Sequence, residues 1–288
     1  MKHSVFAKIA TLALALVLVL SLAACGKKSD SGVKILVPND TTNEARALLL
    51  LQENGIITLK DGAGITATKN DIVDNPYNVE IVEAEAAQLP SLLADAEYAV
   101  INSNYAINAG LNPVKDSLLI EGSASAYANI LAVKEGTENT DAVKALKAAL
   151  ESQQVVDYIN QKYDGSVVSV VTNPTDGYDA SVNYDALNGT TISIAASPTP
   201  HAEILEVAKQ ILAAKGVTLD IQVYNDYVVP NTVVDDGTVT ANYFQHLPYL
   251  EDFNKEQGTH IVSIATIHVE PMGLYGGKQT TLDAISGK

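Results

Sequence analysis

Tryptophan is absent from the 288 residues, phenylalanine occurs three times, and arginine once, at Arg46, against seventeen lysines. There is one cysteine, so no internal disulfide can form and no cysteine-based metal cluster is available. Basic residues are scarce: 18 against 34 acidic ones, a net charge of −16. A phosphate-backbone partner needs a basic face, so nucleic acid is excluded. The same surplus of negative charge suits a soluble protein kept monomeric by self-repulsion. No phosphate-cradling glycine loop and no nucleophile–base pair at a recognisable spacing is present, so the chain is not expected to be an enzyme or to carry a cofactor. Five histidines without short His/Cys spacing predict no metal site, although His268 and Glu270, together with His201, come nearest to one.

The apolar fraction of 47% is enough for substantial cores. Residues 9–22 form the longest apolar run, short of the ~20 needed to span a bilayer. Lys2 and Lys8 precede it and Leu22-Ala-Ala-Cys25 follows. This is the pattern of a secretory signal over 1–24. The site before Cys25 resembles the lipobox of bacterial lipoproteins. That resemblance implies a lipidated Cys25, a membrane anchor and an extracytoplasmic location. Residues 25–32 have the composition of a flexible tether.

Beyond the tether the pattern is strand, loop, helix. Lys34-Ile-Leu-Val37 leads through Pro38-Asn39-Asp40 into a strong helix former around Arg46. The same opening recurs at residue 191. Tyr98-Ala-Val-Ile101 runs straight into the polar cluster Asn102-Ser-Asn104, at the strand edge where open α/β sheets bind ligands. Residues 141–163 predict one long amphipathic helix, and 172–189, rich in Asn, Asp, Gly and Pro, a linker. The fold class is therefore α/β, with two lobes and a cleft between them.

Two features answer each other across the sequence. A lone arginine in a lysine-rich chain marks a place that needs a planar, forked donor, such as the grip on a carboxylate. The expectation puts Arg46 in the first turn of its helix, supported by the Asn43 side chain. The competing reading is a surface ion pair with Glu44 or Asp40. In Ala241-Asn-Tyr-Phe-Gln-His-Leu-Pro-Tyr-Leu250, Phe244, His246 and Tyr249 gather aromatic surface. With Tyr227 they predict an apolar, polarizable pocket, against the alternative of an aromatic core beneath a loop.

Several segments carry a family resemblance: Pro200-His-Ala-Glu-Ile-Leu205, Asp226-Tyr-Val-Val-Pro-Asn231, the aromatic stretch, His268-Val-Glu-Pro-Met-Gly-Leu-Tyr275 and Val37-Pro-Asn-Asp40. Together they resemble the methionine-binding lipoproteins of bacterial ABC importers, the NlpA lipoprotein family. The order of the segments differs from the family's. The chain resembles a circular permutant, cut before residue 33 and rejoined through 172–189. The resemblance implies a two-lobed, periplasmic-binding-protein-like (type II) fold. One lobe would comprise 33–116 plus 276–288, the other 117–275. It also implies that Asn129, and Asn104 or Asn102, hold an amino-acid backbone, with Arg46, Asn43, Tyr227, Phe244, His246 and Tyr249 completing the site. The implied function is capture of L-methionine or a close analogue for a permease and its ATPase. A methionine-containing dipeptide, D-methionine, another apolar amino acid and a non-transport surface lipoprotein stay open.

Overall fold

The structure is a computed structural model and describes residues 32–122 and 127–286. The expectations for the signal segment, Cys25 and the tether up to residue 31 lie outside those residues, as does Lys288.

Among the described residues, thirteen strands form two large sheets and one small one. In chain order they are β1 (Val33–Pro38), β2 (Thr58–Leu59), β3 (Ile72–Asp74), β4 (Val79–Ala84), β5 (Tyr98–Ile101), β6 (Ser117–Ile120) and β7 (Asn129–Lys134). Then follow β8 (Val168–Ser169), β9 (Thr191–Ala196), β10 (Thr218–Val223), β11 (Ala241–His246), β12 (Ile261–Val269) and β13 (Gly273–Gly276). The first sheet has the order β4-β1-β5-β13-β6 and the second β10-β9-β11-β7-β12-β8. In each, three parallel strands are followed by one antiparallel strand that arrives from the other lobe. β13 pairs antiparallel with β5, and β7 with β11. The chain therefore changes lobe twice, between β6 and β7 and between β12 and β13.

This corrects the expected lobe boundaries. Residues 117–120 and 273–275 belong to the first sheet, because β6 and β13 bond to each other and β13 to β5. Their apolar side chains complete that core: Leu274 is fully buried with Ile35, Leu48 and Tyr98.

Both sheets are covered on both faces, which explains the continuous apolar runs of β5 and of β7 after Asn129. Along β5, Tyr98 and Val100 join one core while Ala99 and Ile101 join the other. Along β7, Leu131 and Val133 face the helices Asp141–Leu150 and Glu203–Ala213, while Ile130 and Ala132 pack with Val234 and Leu250. This is the two-residue alternation of a pleated strand.

Local chemistry sets the helix limits. The helix Thr41–Glu53 starts where the Asp40 carboxylate accepts from the Asn43 backbone N–H at 3.0 Å. Arg46 thus sits in the second turn, not the first, because the cap lies upstream of the apolar run. The expected single helix over 141–163 is two, Asp141–Leu150 and Gln153–Lys162. Ser152 breaks it by capping the second through its hydroxyl, which accepts from the Val155 N–H at 3.2 Å. The segment 172–189 is more structured than its composition suggests. It holds a helical turn, Tyr184–Leu187, buries Val182 in the second-lobe core, and anchors Tyr178 through its hydroxyl to the Ile211 carbonyl.

After β13 the chain returns to the first strand. The Tyr98 hydroxyl donates to the Thr281 carbonyl at 2.6 Å, and Ile285 is buried in the core that includes Ile35 and Val37. Ile285→Ala is expected to lower unfolding free energy by about 2–5 kcal/mol through lost burial and a residual cavity. Urea denaturation of the two proteins measures it, and a loss below about 1 kcal/mol would show that this segment is not docked.

Candidate functional site

Strand register brings the site together. Asn129, the first residue of β7, lies opposite His246 on β11 and opposite His268 on β12. Both pairings include a register shift. The one on β11 falls between Tyr243 and Gln245, leaving Phe244 out of the ladder. Such bulges re-aim side chains at the edges of sites. From the other lobe, the end of β5 delivers Asn102, Ser103 and Asn104, and the helix Thr41–Glu53 delivers Asn43 and Arg46.

These residues line a hollow between the lobes. All eight residues expected at the site line it: Asn43, Arg46, Asn104, Asn129, Tyr227, Phe244, His246 and Tyr249. Asn102, Ser103, Gln245 and Glu270 line it as well. The aromatic wall is continuous. Tyr227 lies 5.8 Å from both Phe244 and Tyr249, centroid to centroid, and 5.0 Å from Tyr105. The two lobes meet around the hollow. The Tyr227 hydroxyl donates to Asn104 Oδ1 at 2.7 Å, the Tyr105 hydroxyl donates to the Asn225 carbonyl at 2.9 Å, and His246 Nε2 lies 3.4 Å from Asn43 Oδ1.

Arg46 is buried, with 5% of its side chain exposed, which rules out the surface ion pair. Its partner is neither Asp40, which caps the helix, nor Glu44, which accepts from the Lys69 N–H at 2.8 Å. Its Nε and Nη2 hold Glu121 in a two-point ion pair, and Nη2 also donates to the Glu270 carbonyl at 3.0 Å. Its Cζ stands 4.4 Å over the Tyr127 ring, which in turn meets His246 edge-on at 4.9 Å. The fork expected to grip a ligand is therefore held by the protein's own carboxylate. Nη1 donates no hydrogen bond among the described residues. Asn43 does not support Arg46 either: its Nδ2 donates to Asp40 at 2.8 Å, and its Oδ1 accepts from Asn102 Nδ2 at 2.8 Å.

Behind the hollow lies a buried polar cluster. His201 Nε2 donates to Asn129 Oδ1 at 2.8 Å. The Tyr243 hydroxyl donates to His268 Nδ1, which places the proton of His268 on Nε2, 3.2 Å from Glu270 Oε1. Burial holds both histidines neutral, at pKa values of about 3. For His201 the Glu270 charge opposes that shift and the neighbouring His268 adds to it. Burial pushes Glu270 the other way, above the usual carboxylate range, and the His201 ring, the Arg46 charge and the Asn129 side chain offset part of the rise. His246 is also held neutral, first by burial and then by the Arg46 charge. His201, His268 and Glu270 place ligand atoms within 4.8 Å of one another, close enough to share a metal ion. Their mutual bonds, and those to Asn129 and Tyr243, already use most of that donor set.

Sequence reasoning missed Glu121, Tyr127, Ser103 and Gln245. Glu121 follows an ordinary strand, and nothing in its neighbours marks it. Its role arises only because the crossing segment passes the Arg46 helix. Glu270 drew notice only as a metal ligand.

A model of the NlpA lipoprotein family matches residues 27–171 and 192–288. A D-methionine-binding lipoprotein of Salmonella typhimurium is 45% identical over 139 residues, 48% of this chain and 51% of that one. A membrane lipoprotein of Treponema pallidum is 45% identical over 139 residues, covering 48% and 52%. Among solved structures, a nutrient-binding protein from Burkholderia cenocepacia bound to methionine is 46% identical, with 50% of this chain and 61% of that one covered and a TM-score of 0.46. The chain spans about half the length of the curated relatives it matches.

The buried histidines predict acid sensitivity. Their folded pKa values of about 3 lie below the ordinary imidazole value of 6.5, so the unfolded chain binds more protons between those limits. Their contribution is complete above pH 6.5 and is lost toward pH 3, at up to about 1.4 kcal/mol per pH unit for each. Glu270 acts with the opposite sign, its contribution present below the ordinary carboxyl value of 4.5 and lost as pH rises through its raised folded value. His268→Gln removes one histidine slope. The stability gap between wild type and variant, measured by urea unfolding, is therefore expected to narrow steadily from pH 7 to pH 4. Parallel curves would contradict it.

Proposed function

The chain belongs to the NlpA lipoprotein family, and from that premise we propose that it is a lipid-anchored receptor that captures methionine between its lobes for an ABC importer. The observation that supports this most is the convergence of Arg46, four asparagines and an aromatic wall on one inter-lobe hollow. A curated relative named for D-methionine binding supports the ligand class. A thioether is flexible and polarizable and gains about 0.3–1.5 kcal/mol against each well-placed ring, which suits the Tyr227, Phe244 and Tyr249 wall. The ligand carboxylate goes to Arg46 Nη1, the guanidinium nitrogen that Glu121 leaves over. No bond of the ligand is made or broken. Capture closes the lobes about the two crossings, and the closed form docks on a membrane permease served by an ATPase. Cys25 carries the anchor, and the protein acts outside the cytoplasm.

The same reading includes a permuted order. The family match leaves out 172–191, the stretch expected to join the original ends. A comparison that keeps residues in order would align only one of two exchanged halves, and the relatives align over about half of each chain. Ile285 packs in the same core as Ile35 and Val37, which supports a cut between segments that are neighbours in space.

Titration calorimetry with L-methionine, D-methionine, a glycyl-methionine dipeptide and leucine tests the ligand, and methionine is expected to bind most tightly. Arg46→Lys keeps a charge for Glu121 but loses the planar fork, and is expected to weaken methionine about 10–100-fold, the value of one charged hydrogen bond. A wild-type protein that binds none of the panel would favour a surface lipoprotein without transport. A rearranged gene that starts at residue 191 and joins 286 to 33 through a short linker is expected to fold with the same thermal midpoint. An insoluble or molten product would refute the permutation.

A further inference from the structure

The short helix Ser103–Asn108 follows β5 and lies against the second lobe at the turn Pro198–Ala202. Its residues divide by direction. Asn104 lines the hollow, where its carbonyl oxygen accepts from Tyr227. Tyr105 and Ile107 are not part of that lining. Tyr105 is 7% exposed, and its hydroxyl donates across the lobes to the Asn225 carbonyl at 2.9 Å. Ile107 leaves its own lobe and packs against the second-lobe core. In return Tyr227, from the second lobe, packs against the first-lobe core of Leu36, Leu89 and Ile101, its ring 5.0 Å from that of Tyr105. Each lobe thus lends one large side chain to the core of the other, and both exchanges are made at this helix.

Such an exchange exists only while the lobes are together. Parting them carries Ile107 and Tyr227 from apolar surroundings into water and breaks the Tyr105 bond, so these contacts favour the closed arrangement over the open one. A second link outside the hollow is the ion pair of Lys115 with Asp164 at 3.2 Å, whose side chains are 64% and 80% exposed. A pair so exposed contributes little, which leaves the weight on the buried contacts of the helix. The start of the helix is held elsewhere. The Ser103 hydroxyl donates to the Pro271 carbonyl, in the segment between β12 and β13 where the chain changes lobe. One end of the helix is therefore tied to the pivot, and the other reaches into the opposite lobe.

We propose that this helix is a closing key, and that Tyr105 and Ile107 set how long a captured ligand stays. The proposal rests on the receptor reading and adds to it two residues that govern release without touching the ligand. A residue in contact with the ligand changes affinity by an amount that depends on which ligand is bound. A key acts on the lobes, so its loss speeds the release of every ligand by the same factor. The ligand enters the open form, in which the key is disengaged, so the association rate is unchanged.

The test times the release of radiolabelled L-methionine and D-methionine from the full folded protein into excess unlabelled ligand. Wild type, Tyr105→Phe and Ile107→Ala are compared, each checked for folding by circular dichroism, and calorimetric Kd values give the association rates. Tyr105→Phe keeps the ring and loses only the hydroxyl. It is expected to speed release of both ligands about 3–10-fold, the worth of one buried hydroxyl bond. Ile107→Ala is expected to speed it about 5–30-fold, from apolar surface no longer buried on closure. Asp164→Asn, which cuts the exposed pair, is expected to change release less than about 2-fold. Unchanged release in either key variant, or factors that differ clearly between the two ligands, would overturn the key and leave the receptor reading intact. A wild type that binds neither ligand overturns the receptor reading alone. The key is then judged by small-angle X-ray scattering, where a larger radius of gyration in both variants supports it and equal radii overturn it.

Discussion

The ion pair between Arg46 and Glu121 holds the centre of this molecule. Arg46 belongs to the first lobe, Glu121 to one crossing between the lobes, and the Glu270 carbonyl that Arg46 also grips to the other. The Met272 N–H closes the ring by donating to Glu121 at 3.2 Å. A charged, planar side chain thus fastens both crossings at once, at the floor of the hollow. Burial makes the arrangement expensive to break, because removing either partner strands the other in a dry interior. It also fixes what the guanidinium can offer a ligand: one nitrogen at a set angle, where a free side chain would offer the whole fork.

Around this fixed point the site divides by chemistry. The second lobe contributes the apolar wall, carried on β11 and the segments next to it. The first lobe contributes mostly amide and charge, from the end of β5 and one helix face. Asn129 stands between them, because β7 is the strand that the crossing leads into. The buried histidines, Tyr243 and Glu270 form a second polar layer whose hydrogen bonds settle which nitrogen carries each proton. In such a layer every member constrains the next, so the orientation of Glu270 is influenced two hydrogen bonds away, at the Tyr243 hydroxyl.

Much of this was legible in the sequence. The α/β class, the repeated strand–loop–helix opening and the eight residues that now ring the hollow all followed from pattern, rarity or family likeness. Arg46 stood out because lysine serves everywhere else. What was not legible depended on distance in space. No local signal pairs residue 46 with residue 121. The break at Ser152 was hidden because apolar periodicity continues across it, while capping depends on a hydroxyl that periodicity ignores. The lobe boundary was misplaced because short strands such as β6 and β13 carry too few residues to announce which sheet they join. Glu270 was seen for its ligating atoms rather than for its place in the hollow, and only packing shows that.

The topology also bears on how the chain is made. Residues 129–269 supply every strand of the second sheet, so that lobe is complete as soon as they have left the ribosome. The first sheet begins earlier, with β1 near its middle, yet it lacks β13 until residue 276 has been synthesised. Its early strands must wait, with one flank of β5 open, while more than half of the polypeptide is added behind them. Non-local pairing of this kind is slow and leaves strand edges exposed. The lobe translated first is therefore the lobe finished last, and the nascent chain stays incompletely folded until its final strand has emerged.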